Sequence, residues 1–278
     1  MIHWALQANA GWAAAPPGAT PFDTPHATAA LTVAERARFE ALRVPKRRAE
    51  WLLGRAAAKS VVGQALRDAI PAGWAPEALE IASAPSGMPY ARLAPEAEAT
   101  AGFQPGARLP VTVTISHTAG HALAAATWCP PRTGAQTPAL GADLGVVEPR
   151  SPAFLETFLT DAEQRWVRDA PWWERDVRAN FVWCAKEAVL KALGLGLTVD
   201  TRAVECRTEQ GPADRVTWPL APADDAWSPF LALCDPTLVP GGASLRGVWR
   251  RLPGFVGALA SWTAPSPPGA PRGSGTPA

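Results

Sequence analysis

Ile2, Trp4 and Leu6 fall on one face of IHWAL, the two-residue period of a half-buried strand, so the chain is expected to open with one. A proline-rich loop follows, and then a helix at LTVAER, where Thr32 and Glu35 have the spacing of a capping box. PKRRAEWLLGRAAAKSVVG carries a second helical run from about Lys46 to Val62, after which residues 69–110 read as loop-rich, with a short strand at LEIA (79–82) and a turn at SGMPY. VTVTISHTAGHALAAATW alternates from Val111 to Ile115, turns near Gly120 and resumes through Trp128, which predicts a hairpin. CPPRTGAQTP reads as a surface loop and LGADLGVV as a further strand. TDAE at 160–163 repeats the capping box before another helix. TRAVECRTE and RGVWRRLPGFVGALASW read as strands, and residues 264–278, which lack apolar periodicity, as a disordered tail.

DVRANFVWCAKEAVLKALGLG, residues 176–196, predicts the helix on which the other elements converge. At 3.6 residues per turn Trp183, Glu187 and Lys191 form one stripe, while Phe181, Ala185, Ala188, Val189, Ala192 and Leu193 cover much of the remainder. Such a helix is mostly buried. A carboxylate and an ammonium on it must line a cleft, pair or bind something, because a bare buried charge is very costly. Gly194 and Gly196 supply the expected stop. The plainer alternative is an ordinary i,i+4 pair contributing about 0.3–0.5 kcal/mol.

LTVAER at 31–36 is echoed by LTDAEQ at 159–164, and Trp51, Arg55 and Lys59 repeat the four-residue spacing of Trp183, Glu187 and Lys191. The expectation is a degenerate duplication: an α+β fold of two similar halves related by a pseudo-two-fold, residues 1–138 and 139–263, with the tail beyond and a cleft between the halves. The first half would bring Arg55 to that cleft and the second Glu187. Arg47, Arg48, Arg55 and Lys59 form a local basic cluster, a pattern that also fits a solvated helix face.

Composition narrows the function without choosing it. A chain of 278 residues with 47% hydrophobic and 18% charged residues has material for a large core. A net charge of +1 gives no basic field for nucleic acid, so an acidic ligand must meet a local patch. The four cysteines show neither metal-ligand spacing nor the density of a disulfide scaffold, which suits reduced thiols in a cytoplasmic protein. The opening residues do not resemble a secretory leader, and no run of 18 apolar residues occurs, so neither export nor membrane association is expected.

Asp143, on the strand LGADLGVV, and Glu187, on the helix, together offer the oxygen ligands that Mg2+ prefers. A lone Asp in such a place is more often a turn or cap. His117, after the strand in ISH, suits a phosphate contact or a turn cap. A zinc reading of His117 and His121 has no third ligand at convincing spacing. The G-x-S-x-G elbow, the phosphate loop ending G-K-[ST] and a G-x-G-x-x-G after a strand are all missing, which leaves hydrolase, ATPase and dehydrogenase readings without their usual support.

WLLGR (51–55), SGMP (86–89), ISH (115–117), GADLG (141–145) and WCAKEAVLK (183–191) occur in an order that resembles the larger, pseudo-dimeric 4'-phosphopantetheinyl transferases. The resemblance covers about residues 31–200, and its specific part is the G-x-D and W-x-x-K-E-x-x-x-K pair. It implies Mg2+-dependent transfer of the phosphopantetheine arm of coenzyme A to a serine of an acyl or peptidyl carrier protein, releasing adenosine 3',5'-bisphosphate. Asp143 and Glu187 would bind Mg2+, with Glu187 also taking the serine proton directly or through water. Lys191 would offset charge on the transferred phosphate and Lys186 would assist. His117 and Arg55, with Arg47 or Arg48, would hold coenzyme A phosphates.

The sequence departs from that pattern twice. Gly145 stands where a second acid is common, so water would complete the metal shell or Glu148 would reach inward; alternation puts Glu148 opposite Asp143, which favours water. Met88 stands where G-K-P is usual. A coenzyme A or carrier-protein binding module with lost transferase activity is therefore the alternative function. A duplicated chain supplies its own cleft, so a monomer is the simpler expectation.

Overall fold

The computed structural model describes residues 1–9, 20–22, 24–69, 74–129, 138–208, 227–239 and 243–262. The expected tail at 264–278 and most of the CPPRTGAQTP loop lie outside them. The first strand, β1 (Ile2–Asn9), is longer than expected and pairs in parallel with β2 (Thr20–Phe22). Helix α1 (Thr24–Ala29) leads to α2 (Val33–Ala41), which starts at the expected capping box: Thr32 Oγ1 accepts from Glu35 N, and Glu35 Oε2 accepts from Thr32 N. Helix α3 (Pro45–Ala69) outruns the expected stop near Val62, because Ala65 and Leu66 continue the buried face begun by Leu52, Leu53, Ala58 and Val62. A two-stranded sheet of β3 (Leu79–Ser83) and β4 (Pro89–Leu93) follows, and then the hairpin of β5 (Val111–Thr118) and β6 (His121–Trp128).

Strand β7 (Ala139–Val146) opens the second set, followed by α4 (Pro152–Phe158), α5 (Asp161–Arg168) and α6 (Trp172–Ala192). Helix α5 starts at the second capping box, between Thr160 and Glu163. Strands β8 (Val204–Thr208), β9 (Ser228–Cys234), β10 (Ala243–Leu252) and β11 (Phe255–Trp262) complete the described fold. Strands β2, β4 and β9 and helices α1 and α4 were not foreseen: β2 and α1 fall where a proline-rich loop was expected, and β4 where only a turn was. The fold class is α+β.

Two larger sheets form the body, with orders β2-β1-β6-β5 and β7-β11-β10-β9-β8. Each has a long helix on one face. Helix α3 packs on the first through Leu53, Ala57, Val61, Ala122, Ala124 and Val113, and α6 on the second through Phe181, Ala185, Val189, Phe230, Val256 and Ala258. The opposite faces meet each other: Ile2, Leu6 and Leu123 join Leu140, Leu144 and Leu259 in one apolar cluster. Strand alternation sorts β7 accordingly, with Leu140, Ala142 and Leu144 toward this shared core and positions 141, 143 and 145 toward α6. Gly141 permits that contact, since a Cβ there would lie 1.8 Å from the Ala188 carbonyl oxygen.

Strands β5 and β7 are edge strands of different sheets, and hydroxyl groups bridge them. Thr114 Oγ1 accepts from Ala142 N at 3.0 Å, and Ser116 Oγ accepts from Leu144 N at 3.1 Å. Side chains thus satisfy donors that an edge strand would otherwise leave open.

The repeated capping boxes belong to a larger repeated frame. Glu35 accepts from Thr32 N at the start of α2 and from Ile81 N in β3, and pairs with Lys59 of α3 at 2.6 Å. Glu163 accepts from Thr160 N at the start of α5 and from Cys206 N in β8, and pairs with Lys186 of α6 at 2.7 Å. Each lysine then donates to two backbone carbonyls, Ala30 and Pro76 for Lys59, Thr201 and Val204 for Lys186. A buried ion pair is tolerable only when its remaining donors and acceptors are satisfied, as here. This frame corrects the register read from the sequence: Lys59 corresponds to Lys186 and not to Lys191.

Candidate active site

From Phe181 to Ala192 of α6, only Trp183, Glu187 and Lys191 escape full burial. They line a cleft of about 450 Å³ with Asp143 and Gly145 of β7 and Ser116 and His117 of β5. The stripe read from periodicity is therefore the cleft-facing edge of the helix.

Asp143 is the fixed point. Its Oδ1 accepts from Ser116 Oγ at 2.8 Å and from Lys191 Nζ at 2.7 Å. Lys191 Nζ also donates to the Ala142 carbonyl at 3.1 Å and lies 3.9 Å from Glu187 Oε2. One ammonium thus faces two carboxylates, a local arrangement already suited to a cation. Burial raises Glu187 above the usual carboxylate range; Lys191 opposes this, and the Asp143 charge adds to it. Such a carboxylate accepts a proton more readily than an exposed one.

Gly145 has a physical reason. Its position faces α6, and a Cβ there would lie 2.5 Å from Cys184 Sγ, inside any normal contact. The Cys184 thiol is wholly buried, and burial together with the Asp143 charge pushes its pKa well up. It fills the space that a side chain at 145 would need. Glu148 lines the cleft, but its carboxylate pairs with Arg150 at 2.8 Å, and Arg150 Nε in turn donates to Asn180 Oδ1 at 2.8 Å.

The expected site residues divide. Asp143, Glu187, Lys191 and His117 meet in the cleft, with His117 Nδ1 4.0 Å from Glu50 Oε2. Lys186 does not reach it: its side chain is fully buried and directed to Glu163, Thr201 and Val204. Helical geometry explains the split, since successive residues point about 100° apart. Arg47, Arg48 and Arg55 are likewise not among the cleft's described lining residues. Arg47 is exposed, and Arg48 stacks on Phe39 with its guanidinium carbon 4.0 Å from the ring centre. Arg55, its pKa lowered by burial, lies over Trp51 and donates to Ser83 Oγ at 3.4 Å.

Ser116 and Arg150 were overlooked. Alternation along VTVTISH could have shown Ser116, which shares the face of Thr114 that binds β7. Arg150 had only its place after the Asp143 strand to recommend it.

Two carboxylates held beside a lysine, in a cleft also lined by a histidine and an arginine, could hold an oxyanion together with a hard cation. Consistent with that class, residues 139–232 match the family model of the 4'-phosphopantetheinyl transferase superfamily. The matched segment runs from β7 into β9 and contains Asp143, Glu187 and Lys191. No curated protein matches the chain. Among the described residues no helix is long and apolar enough to cross a membrane.

Proposed function

We propose that this chain is a magnesium-dependent 4'-phosphopantetheinyl transferase, moving the arm of coenzyme A to a serine of an apo acyl or peptidyl carrier protein and releasing adenosine 3',5'-bisphosphate. The observation that carries the reading is the meeting of Asp143, Glu187 and Lys191 in one cleft within the segment that matches the family. Asp143 and Glu187 would hold Mg2+. Two carboxylates are few for a protein cage but fit an ion that keeps waters and binds through substrate phosphate. When bound, the metal supplies Lewis-acid stabilisation of charge on the diphosphate.

The chain's own residues then take distinct parts. Ser116 and Lys191 fix the Asp143 carboxylate, and Lys191 offers its charge to the transferred phosphoryl group. The carrier serine oxygen forms the new bond to phosphorus as the bond to the nucleotide oxygen breaks. Glu187 accepts the serine proton directly or through water. His117 and Arg150 line the cleft where further phosphate charge would lie. Lys186 is a structural member of the frame.

The two buried Thr–Glu–Lys frames support a duplicated chain, with halves at 1–138 and 139–263 related by a pseudo-two-fold and the cleft at their junction. Both halves contribute to the cleft, so a cytoplasmic monomer suffices. The test is the intact mass of apo carrier proteins after incubation with this protein, coenzyme A and Mg2+, with a chelator control. A magnesium-dependent gain of one phosphopantetheine is expected. Coenzyme A binding without any mass gain would instead favour the binding module.

A further inference from the structure

The cleft at Asp143 does not favour an anion by itself: among its described lining residues three carboxylates, Asp143, Glu148 and Glu187, outnumber two permanent cations, Arg150 and Lys191. Lys191 is already committed to Asp143 and the Ala142 carbonyl. Arg150 is the other cation, and its side chain, 20% exposed, is held from three sides. Its Nε donates to Asn180 Oδ1 at 2.8 Å, its guanidinium pairs with Glu148 Oε1 at 2.8 Å, and its guanidinium carbon lies 4.7 Å from the centre of the Phe154 ring.

Asn180 is wholly buried and sits on α6 two turns before Glu187, on nearly the same edge of the helix. Its amide is fully used: Nδ2 donates to the carbonyls of Glu148 and Asp176, both at 2.7 Å, and Oδ1 accepts from Arg150. Asparagine is a poor helix former, and buried it is tolerable only when bonded. The residue thus clamps the segment after β7 to α6 and keeps Arg150 in the cleft wall. A guanidinium carries five N–H donors, of which Asn180 and Glu148 take two; among the described residues no other hydrogen-bond partner engages the rest. That fork matches phosphate geometry. On the transferase reading above, we propose that Arg150 binds a phosphate group of coenzyme A, exchanging its pairing with Glu148 for the ligand while Asn180 holds it in place. Glu148, 52% exposed, has room to turn into solvent, whereas Asn180 has none. A carrier carboxylate is the other oxyanion at hand, but a guanidinium so largely enclosed in the cleft wall suits the small ligand. Arg150 is then a binding residue and Asn180 a positioning residue.

The test is calorimetric titration of the full chain with coenzyme A in Mg2+, without carrier protein, followed by steady-state transfer. Arg150→Gln should weaken coenzyme A binding about tenfold or more, and raise the KM for coenzyme A while leaving the KM for the carrier unchanged. Glu148→Gln should tighten binding about threefold, and most of that gain should vanish when Arg150→Gln is also present. Asn180→Leu should weaken binding, with no further loss on adding it to Arg150→Gln, a coupling that a merely structural role would not produce. Thermal unfolding establishes that each variant is folded; if Asn180→Leu is not, the cycle of Glu148 and Arg150 decides. Wild-type affinity in Arg150→Gln, additive effects of Glu148→Gln and Arg150→Gln, or a raised KM for the carrier alone would overturn the proposal, while transfer by the wild type upheld the reading beneath it. Weaker binding in Glu148→Gln would also overturn it, since Glu148 would then serve the metal. Failure of the wild type to bind coenzyme A would overturn both.

Discussion

Lys59 of α3 and Lys186 of α6 occupy nearly the same setting, yet their helices continue differently. After Lys186 come Glu187 and, a turn later, Lys191, both facing Asp143; after Lys59 come Ser60, Gly63 and Gln64, which carry no charge. Position 143 on β7 is an aspartate lining the cleft, whereas the face of β1 that meets α3 carries Ala5, Gln7 and His3, the last 2.9 Å from Asp68 of α3 and outside the cleft lining. The repeated residues therefore serve architecture: a carboxylate that ties a helix start, the next long helix and a strand together. Among the described residues, the charged cleft positions that follow the lysine occur on α6 and not on α3.

The largest expected effects come from breaking the frames. Lys186→Met leaves Glu163 buried without its partner and should cost about 3–5 kcal/mol, with Lys59→Met comparable because Glu35 is left in the same state. Urea denaturation measures both. A loss below about 1 kcal/mol in one and not the other would end the equivalence of the two frames. In the cleft, Glu187→Gln should lower magnesium-dependent transfer by a factor on the order of 10² or more while the chain stays folded. Carrier modification rates read this directly, and an unchanged rate would remove Glu187 from the chemistry.

Smaller effects sharpen the contrast at β7. Gly145→Glu should destabilise by about 1–3 kcal/mol, because its Cβ meets Cys184 Sγ, and Cys184→Ala in the same chain should recover part of that loss. Denaturation midpoints of the two single variants and the double variant test the coupling; additive losses would mean that Cys184 is not the obstacle. The smallest effect is in pH dependence. Burial raises Glu187, so the folded chain holds that proton more tightly than the unfolded chain. Its stabilising contribution is present below the unfolded pKa and is lost as pH rises through the folded value. In metal-free buffer, Glu187→Gln should raise the thermal midpoint at neutral pH and leave it unchanged in strong acid. A lower midpoint at neutral pH would reverse the assigned sign.

Much of this was legible because it is local. Period-two alternation located β1, the β5–β6 hairpin and β7, and both capping boxes form as their spacing implied. The stripe of Trp183, Glu187 and Lys191 followed from helical period, since a buried helix exposes the polar residues that share one edge. What failed needed tertiary information. Matching charges four apart aligned Lys59 with Lys191, whereas burial and partner identity align it with Lys186. Arg55 was assigned to the cleft on that mistaken register. Strand β9 was hidden because SPFLALC carries a proline at its second position and is apolar almost throughout, with β10 on one side and β8 on the other. The absence of a side chain at 145 became intelligible only when Cys184 was seen to fill its place.

The central claim is that adjacent residues of α6 have separate tasks, Glu187 in transfer and Lys186 in folding. The most direct measurement is the intact mass of an apo carrier protein over time with coenzyme A and Mg2+, comparing the wild type, Glu187→Gln and the double variant Glu163→Gln with Lys186→Met. The double variant removes the buried pair together and keeps the acceptor that caps α5. The account predicts transfer by the wild type and, per folded molecule, by the double variant, with little or none by Glu187→Gln. Full transfer by Glu187→Gln, or its loss in a folded double variant, would contradict it.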